Sequence, residues 1–163
     1  QGVRTAERLS APIHVYLDRI RSPFNVGSIF RSAESFGVES IMVHPLGATP
    51  DHPRAQRSSM GCIDRIPWST CSEEDILGPV FSLETGGEDI RSFQFPSHGT
   101  VIIGSEELGV SPALLERSDN SLGRVSIPTA GAKGSLNVSV AFGILIFHWW
   151  CAIASGPYQQ QTY

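Results

Sequence analysis

The sequence predicts an α/β fold, a mostly parallel sheet flanked by helices. Three observations lead there. Short apolar runs of strand length alternate with stretches of helical spacing. The first 43 residues hold a strand, a helix and a second strand in succession, the unit from which parallel sheets are built. The 163 residues are 40% apolar and only 17% charged, enough to bury one core and too sparsely charged for a disordered chain.

Residues 13–17 form the first apolar strand, and Pro23, Phe24 and Asn25 then punctuate the chain. Over 26–36, Val26, Ile29, Phe30, Ala33 and Phe36 recur at helical spacing, with Asn25 typed to cap the start and Gly37 the end. The next strand is 40–43. Further strands fit 63–68, 80–83, 100–103 and 124–127, and short helices fit 54–59, 73–77 and 111–116. No internal repeat or inter-domain linker interrupts the series, so residues 1–163 are expected to form a single domain with flexible ends at 1–12 and 155–163. The start at Gln1 rather than methionine fits a trimmed chain and leaves open whether an N-terminal domain was removed.

The last element, 135–154, is apolar on almost every face, which predicts a helix buried all round. It has the ~20 residues of a membrane span, but Asn137, Ser139 and His148 interrupt it. No second span or flanking basic cluster exists elsewhere. Burial against the sheet on one side and against a second subunit on the other accounts for the same residues, so a homodimer is expected and a membrane is not.

Charge is divided unevenly. Residues 1–65 carry eight arginines against six acids, whereas 66–163 carry four bases against ten acids, for a net charge of −4. Eleven of the twelve bases are arginine, whose planar fork grips phosphate in a bidentate manner. Arg19, Arg21, Arg54 and Arg57 are the candidates for contact with a nucleic-acid phosphate backbone. The three cysteines form no C-x-x-C pair, which argues against a disulfide framework or a zinc site and for a reducing, cytoplasmic setting.

Three segments hold more Gly, Asn, Ser, Glu and Arg than folding needs. All lie where loops follow strands, the edge at which parallel sheets place ligands. The first is Asn25-x-Gly27-x-x-x-Arg31, where Gly27 lets another backbone or a ligand come close. The second is Gly104-x-Glu106-x-x-Gly109 at the end of an apolar strand. The third runs from Ile127 and Pro128 through Gly131, Lys133, Gly134, Ser135, Leu136, Asn137, Val138, Ser139 and Val140 to Ala141. A glycine-rich loop entering a helix could bind an anion. The order Lys133-Gly134-Ser135 is nevertheless not that of a P-loop, and no G-x-G-x-x-G occurs, so nucleoside triphosphates and dinucleotides are excluded.

In this order the three segments resemble the motifs of the SpoU-type branch of the SPOUT RNA methyltransferases, over about residues 13–150. The resemblance implies a homodimeric α/β fold with a deep C-terminal trefoil knot. It also implies binding of S-adenosylmethionine and methylation of a ribose 2′-hydroxyl of tRNA or rRNA without a metal. By the same similarity Gly104, Ile127 and Leu136 hold the adenosine end, with Gly109 in the second motif and Thr85 and Gly86 as a further wall. Arg31 takes the central catalytic role. A guanidinium keeps its proton at neutral pH, so a charged Arg31 that anchors phosphate and stabilises a developing alkoxide fits better than a general base. Asn25, Ser135 and Asn137 would orient Arg31 and the ribose, and Glu106 would hold the loop or pair with Arg31. Many relatives resemble Gly-Asn-Glu-Gly at the second motif, whereas this chain has Glu107 in place of the last glycine. That side chain is expected to crowd the cofactor-facing turn or to require a different one. The alternative is a catalytically silent RNA-binding relative. His44 and His52 fall outside the motifs and fit loop structure or RNA contact, and His148 fits a core or interface position.

Overall fold

In the computed structural model, which describes residues 10–154, six strands form one parallel sheet in the order β3-β2-β1-β5-β4-β6. The strands are β1 (Ala11–Asp18), β2 (Val38–Val43), β3 (Trp68–Thr70), β4 (Val80–Asp89), β5 (Gly99–Gly104) and β6 (Arg124–Ser126). The helices are α1 (Pro23–Ser35), α2 (Pro53–Ser59), α3 (Pro112–Asp119) and α4 (Val138–Ile153). The central strands read as unbroken apolar runs because both faces of the sheet are covered. Val15, Leu17, Ile41, Val43, Val101 and Ile103 point to the side closed by α1 and α4, where Phe30, Phe142, Leu145 and Trp149 fill the larger core. Tyr16, Met42 and Ile102 point the other way, under Val110 and Leu114 beside α3.

Several boundaries differ from expectation for identifiable reasons. β1 begins at Ala11, so residues 11 and 12 belong to the sheet; residues 1–9 and 155–163, the rest of the expected flexible ends, lie outside the described residues. α1 begins at Pro23 because proline is preorganised for the first helical position. Its cap is Ser22, whose Oγ accepts from the Asn25 N–H at 3.2 Å, and Asn25 is thereby freed from capping. The stretch expected as a strand over 63–68 is a 3₁₀ turn at Cys62–Arg65 followed by β3. Ile63 and Ile66, three residues apart, both turn inward there. The helix expected over 73–77 is only a 3₁₀ turn, Glu73–Asp75.

α4 starts at Val138 rather than at Ser135, and one chain does not bury it all round. Ser139, Phe142, Leu145, Ile146 and Trp149 are buried, whereas Val140 and Phe147 remain about half exposed. Seven residues apart, these two share an exposed side of α4. Phe147 and Trp150 also pack edge-on or tilted against Phe36 at the end of α1, with ring centroids 5.6 and 6.0 Å away. Among the described residues no helix is long and apolar enough to cross a membrane, and no cluster of three or more His, Cys, Asp or Glu could hold a metal ion. Cys62, Cys71 and Cys151 are free thiols.

Candidate active site

The three motifs meet at one end of the sheet, joined by a chain of hydrogen bonds through Asn25. Glu106 lies just past β5 and accepts from the Arg21 and Ser22 backbone N–H groups and from the Asn25 side-chain amide, each at 3.0 Å. The other end of the Asn25 amide accepts from Asn137 Nδ2 at 3.3 Å. Asn137 Oδ1 in turn accepts from the Ser139 N–H at 2.9 Å and the Ser139 hydroxyl at 2.5 Å, which caps α4. Asn25 is buried, so a residue lacking both a donor and an acceptor would leave two partners unsatisfied.

Burial works to raise the Glu106 carboxyl, but the donors from Arg21, Asn25 and Ser22 outweigh it and hold the group below the ordinary carboxylate value. Its oxygens are already committed to those donors, so Glu106 secures the loop before α1 and is no proton acceptor for a reaction. Pairing with Arg31, the other expectation for Glu106, does not occur.

Glycines allow two close approaches. A Cβ at Gly27 would overlap Ser58 Oγ and the Ala55 carbonyl, so this glycine exists to let α2 lie against α1. At Gly104 a Cβ would overlap the Gly109 backbone, where the chain folds back through paired bonds between Ser105 and Gly109 of 3.1 and 3.0 Å. Glu84 closes this turn from below by accepting from the Val110 N–H at 2.9 Å. Glu107 does not demand a glycine conformation, since only Arg19 and Met60 among the described non-glycine residues have positive φ. Its side chain is two-thirds exposed and pairs with Arg21 at 2.9 Å.

Around this hub opens a cavity of about 980 Å³ at the C-terminal ends of β4, β5 and β6. All six residues expected to hold the adenosine end, Thr85, Gly86, Gly104, Gly109, Ile127 and Leu136, line it, as do Glu106, Ser135 and Asn137. Apolar Leu83, Ile103, Ile127, Leu136 and Val138 supply one part of the wall. Three carboxylates, Glu84, Glu106 and Glu107, oppose a single cation, Lys133, on the rest. An anion at the start of α4 is therefore disfavoured: the wall is net acidic, and Asn137 already occupies the first N–H groups of the helix. The lining does fit an adenosyl sulfonium compound, which offers an apolar body and a positive charge and no phosphate. A Cβ added at Gly86 or Gly134 would meet nothing, so the rim is open for such a molecule.

Arg31 is not in the cavity wall of its own chain. It is exposed on the outer face of α1, and its guanidinium forms no hydrogen bond or ion pair among the described residues. Asn25, Ser135 and Asn137 therefore do not orient it within one protomer. Arg54 and Arg57 on α2 are likewise exposed and unpaired there. Arg19 instead reaches Asp18 and Glu73 at 3.2 and 3.5 Å, and Arg21 reaches Glu107. His44 and His52 both serve loop structure: their Nδ1 atoms accept from the Leu46 and Arg54 backbone N–H groups at 3.0 and 3.1 Å. His148 stands edge-on to Phe147 on α4. The bridging position of Asn25 escaped sequence reasoning, since nothing local marks a residue whose partners lie 81 and 112 positions away.

The model of the SpoU rRNA Methylase family matches residues 12–147. A protein of Borreliella burgdorferi described as an uncharacterized tRNA/rRNA methyltransferase is 32% identical over 80% of this chain and 60% of its own length. A 23S rRNA (uridine(2479)-2′-O)-methyltransferase of Streptomyces viridochromogenes is 30% identical over 82% of this chain and 50% of its own length. The crystal structure of an AdoMet-bound rRNA methyltransferase from Sinorhizobium meliloti superposes with a TM-score of 0.76 at 27% identity, covering 88% of this chain and 57% of that one. The chain spans 60% or less of the length of these relatives.

Proposed function

Because the chain belongs to the SpoU rRNA Methylase family, we propose that its cavity binds S-adenosylmethionine and that the protein methylates a ribose 2′-hydroxyl of tRNA or rRNA. The observation that carries this reading is that the second and third motifs line one acidic, half-apolar cavity and the first is tied to both through Asn25. When bound, S-adenosylmethionine supplies an electrophilic methyl group on a sulfonium.

The chain's own residues divide the work. Ile127, Leu136 and the backbone around Gly104 and Gly109 hold the adenosine end, with Thr85 and Gly86 closing the wall. Asn25 and Glu106 fix the geometry of the loops, while Ser135 and Asn137 at the rim position the ribose. Arg31 remains charged; it anchors the target phosphate and stabilises negative charge as it develops on the 2′-oxygen. Arg54 and Arg57 hold RNA, whereas Arg19 and Arg21 are engaged with acids and contribute less.

The proposal includes a single methyltransferase domain over residues 1–163, the trefoil knot, a cytoplasmic location and a homodimer. Val140 and Phe147, exposed on one side of α4, support the dimer, because apolar groups aligned on one helix face tend to be covered in solution. Phe36 joins this helix to α1, so the helix that carries Arg31 borders the interface. Sedimentation at micromolar concentration should show two copies; a monomer removes the dimer from the proposal.

The activity itself is tested with tritiated S-adenosylmethionine and total RNA lacking ribose methylation, followed by nucleoside mass spectrometry. Label in a 2′-O-methylnucleoside supports the reading. Label on a base, or no transfer by a protein that binds the cofactor and RNA, contradicts it.

A further inference from the structure

The outer surface beside the first motif carries a feature that the cavity does not use. Phe24, in the first turn of α1, is 57% exposed although it is aromatic. It lines a groove of about 520 Å³ with Arg54, Arg57 and Ser58, and no acid stands in that lining. The arrangement is built rather than loose. Ser58 Oγ donates to the Phe24 carbonyl at 2.9 Å, and the overlap that any side chain at Gly27 would create keeps α2 pressed against α1. The two guanidinium groups form no hydrogen bond or ion pair among the described residues, in contrast to Arg21, Arg91 and Arg124, which are each held by a carboxylate. Phe24 and Arg31 are seven residues apart, hence on the same face of α1 and separated by about 10 Å along its axis.

We propose that Phe24 is a stacking platform for an unpaired base of the substrate RNA, beside the nucleotide that Arg31 addresses, with Arg54 and Arg57 holding the flanking phosphates. This rests on the RNA methyltransferase reading above. An exposed aromatic face attracts any nucleobase, and arginines on either side supply the charge that a polyanion requires. The groove has two cations and no acid in its lining, which favours a polyanion as its occupant, and the exposed Val140 and Phe147 on α4 offer a protein partner the more apolar surface.

The test is equilibrium binding of a short fluorescein-labelled single-stranded RNA of mixed sequence, followed by anisotropy at several salt concentrations. Phe24→Ala should weaken binding by roughly 5- to 100-fold while leaving the slope of log K against log salt unchanged. Phe24→Trp should retain wild-type affinity. Arg54→Ala and Arg57→Ala should each flatten the slope by about 0.7, the contribution of one phosphate contact on a single strand. Unchanged affinity in Phe24→Ala overturns the proposal, as does a change in its sedimentation in place of a change in RNA affinity, which would mark a protein contact. Titration with S-adenosylhomocysteine separates the two levels. Wild-type protein that binds this ligand but not the RNA defeats the stacking platform and leaves the cavity reading standing. Wild-type protein that binds the RNA but not the ligand defeats the cavity reading alone.

Discussion

The buried and the exposed positions in and next to the first motif of α1 do opposite things. Asn25 and Gly27 are buried on different sides of the helix; the Asn25 side chain bridges Glu106 and Asn137, and Gly27 lacks a side chain so that α2 can approach. Phe24 and Arg31, on the outer side, are exposed, and the Arg31 guanidinium makes no hydrogen bond or ion pair among the described residues. A single sequence motif thus combines residues that assemble the site with residues left free for a substrate. Substitutions should separate the two by whether they change stability or only activity.

The largest effect is expected at Gly27. Gly27→Ala forces a methyl group into the Ala55 carbonyl, a backbone atom that cannot move aside without shifting α2, and should destabilise the fold by about 3 kcal/mol or more. In a domain of this size that is a fall of roughly 10 °C in Tm, readable by calorimetry. Asn25→Ala comes next. It leaves both Glu106 and Asn137 short of a partner at a buried position and should cost about 1–3 kcal/mol by urea unfolding.

Glu106→Gln is expected to cost about 1–2 kcal/mol at neutral pH, because an amide cannot accept from all three donors. Its pH dependence has a definite sign. The Glu106 carboxyl is held below its ordinary value in the folded protein, so its contribution is present above the unfolded pKa and is lost as pH falls through the folded one. The stability gap between wild type and Glu106→Gln should therefore narrow as pH drops from about 5 toward 3, and a gap that widens would contradict the hydrogen-bond account. Arg31→Ala should have the smallest effect on stability, within about 0.5 kcal/mol. Methyl transfer should nevertheless be lost, and Arg31→Lys should restore little because a point charge does not reproduce the bidentate fork.

Much of the sheet was legible in the sequence because β1, β2 and β5 are short, apolar and bounded by turn residues. β3 was misplaced because Ile63 and Ile66 supply apolar ends to a strand-length window, although their spacing is that of a 3₁₀ turn. β4 runs on to Asp89 through Thr85, Gly86 and Gly87, which have loop composition; only contact with β6, where the Gly87 Cα lies against the Arg124 backbone, keeps that stretch in the sheet. Gly104, Gly109, Ile127 and Leu136 were legible as family motifs, whereas Thr85 and Gly86 were marked only by following a strand; all six line the cavity. The inward role of Asn25 was not legible. A helix-capping residue and a bridging residue have the same local sequence, and only the positions of Ser22, Glu106 and Asn137 in space distinguish them.

The cavity tied to the first motif through Asn25 is proposed as a site for an adenosyl sulfonium compound. Calorimetric titration of the folded protein with S-adenosylmethionine and S-adenosylhomocysteine tests it most directly. The predicted result is one site per chain for both, no binding of ATP or NAD, and marked weakening in Leu136→Asp with Tm unchanged. A protein that melts cooperatively yet binds neither adenosyl ligand, or that binds ATP as well as it binds S-adenosylmethionine, would contradict it.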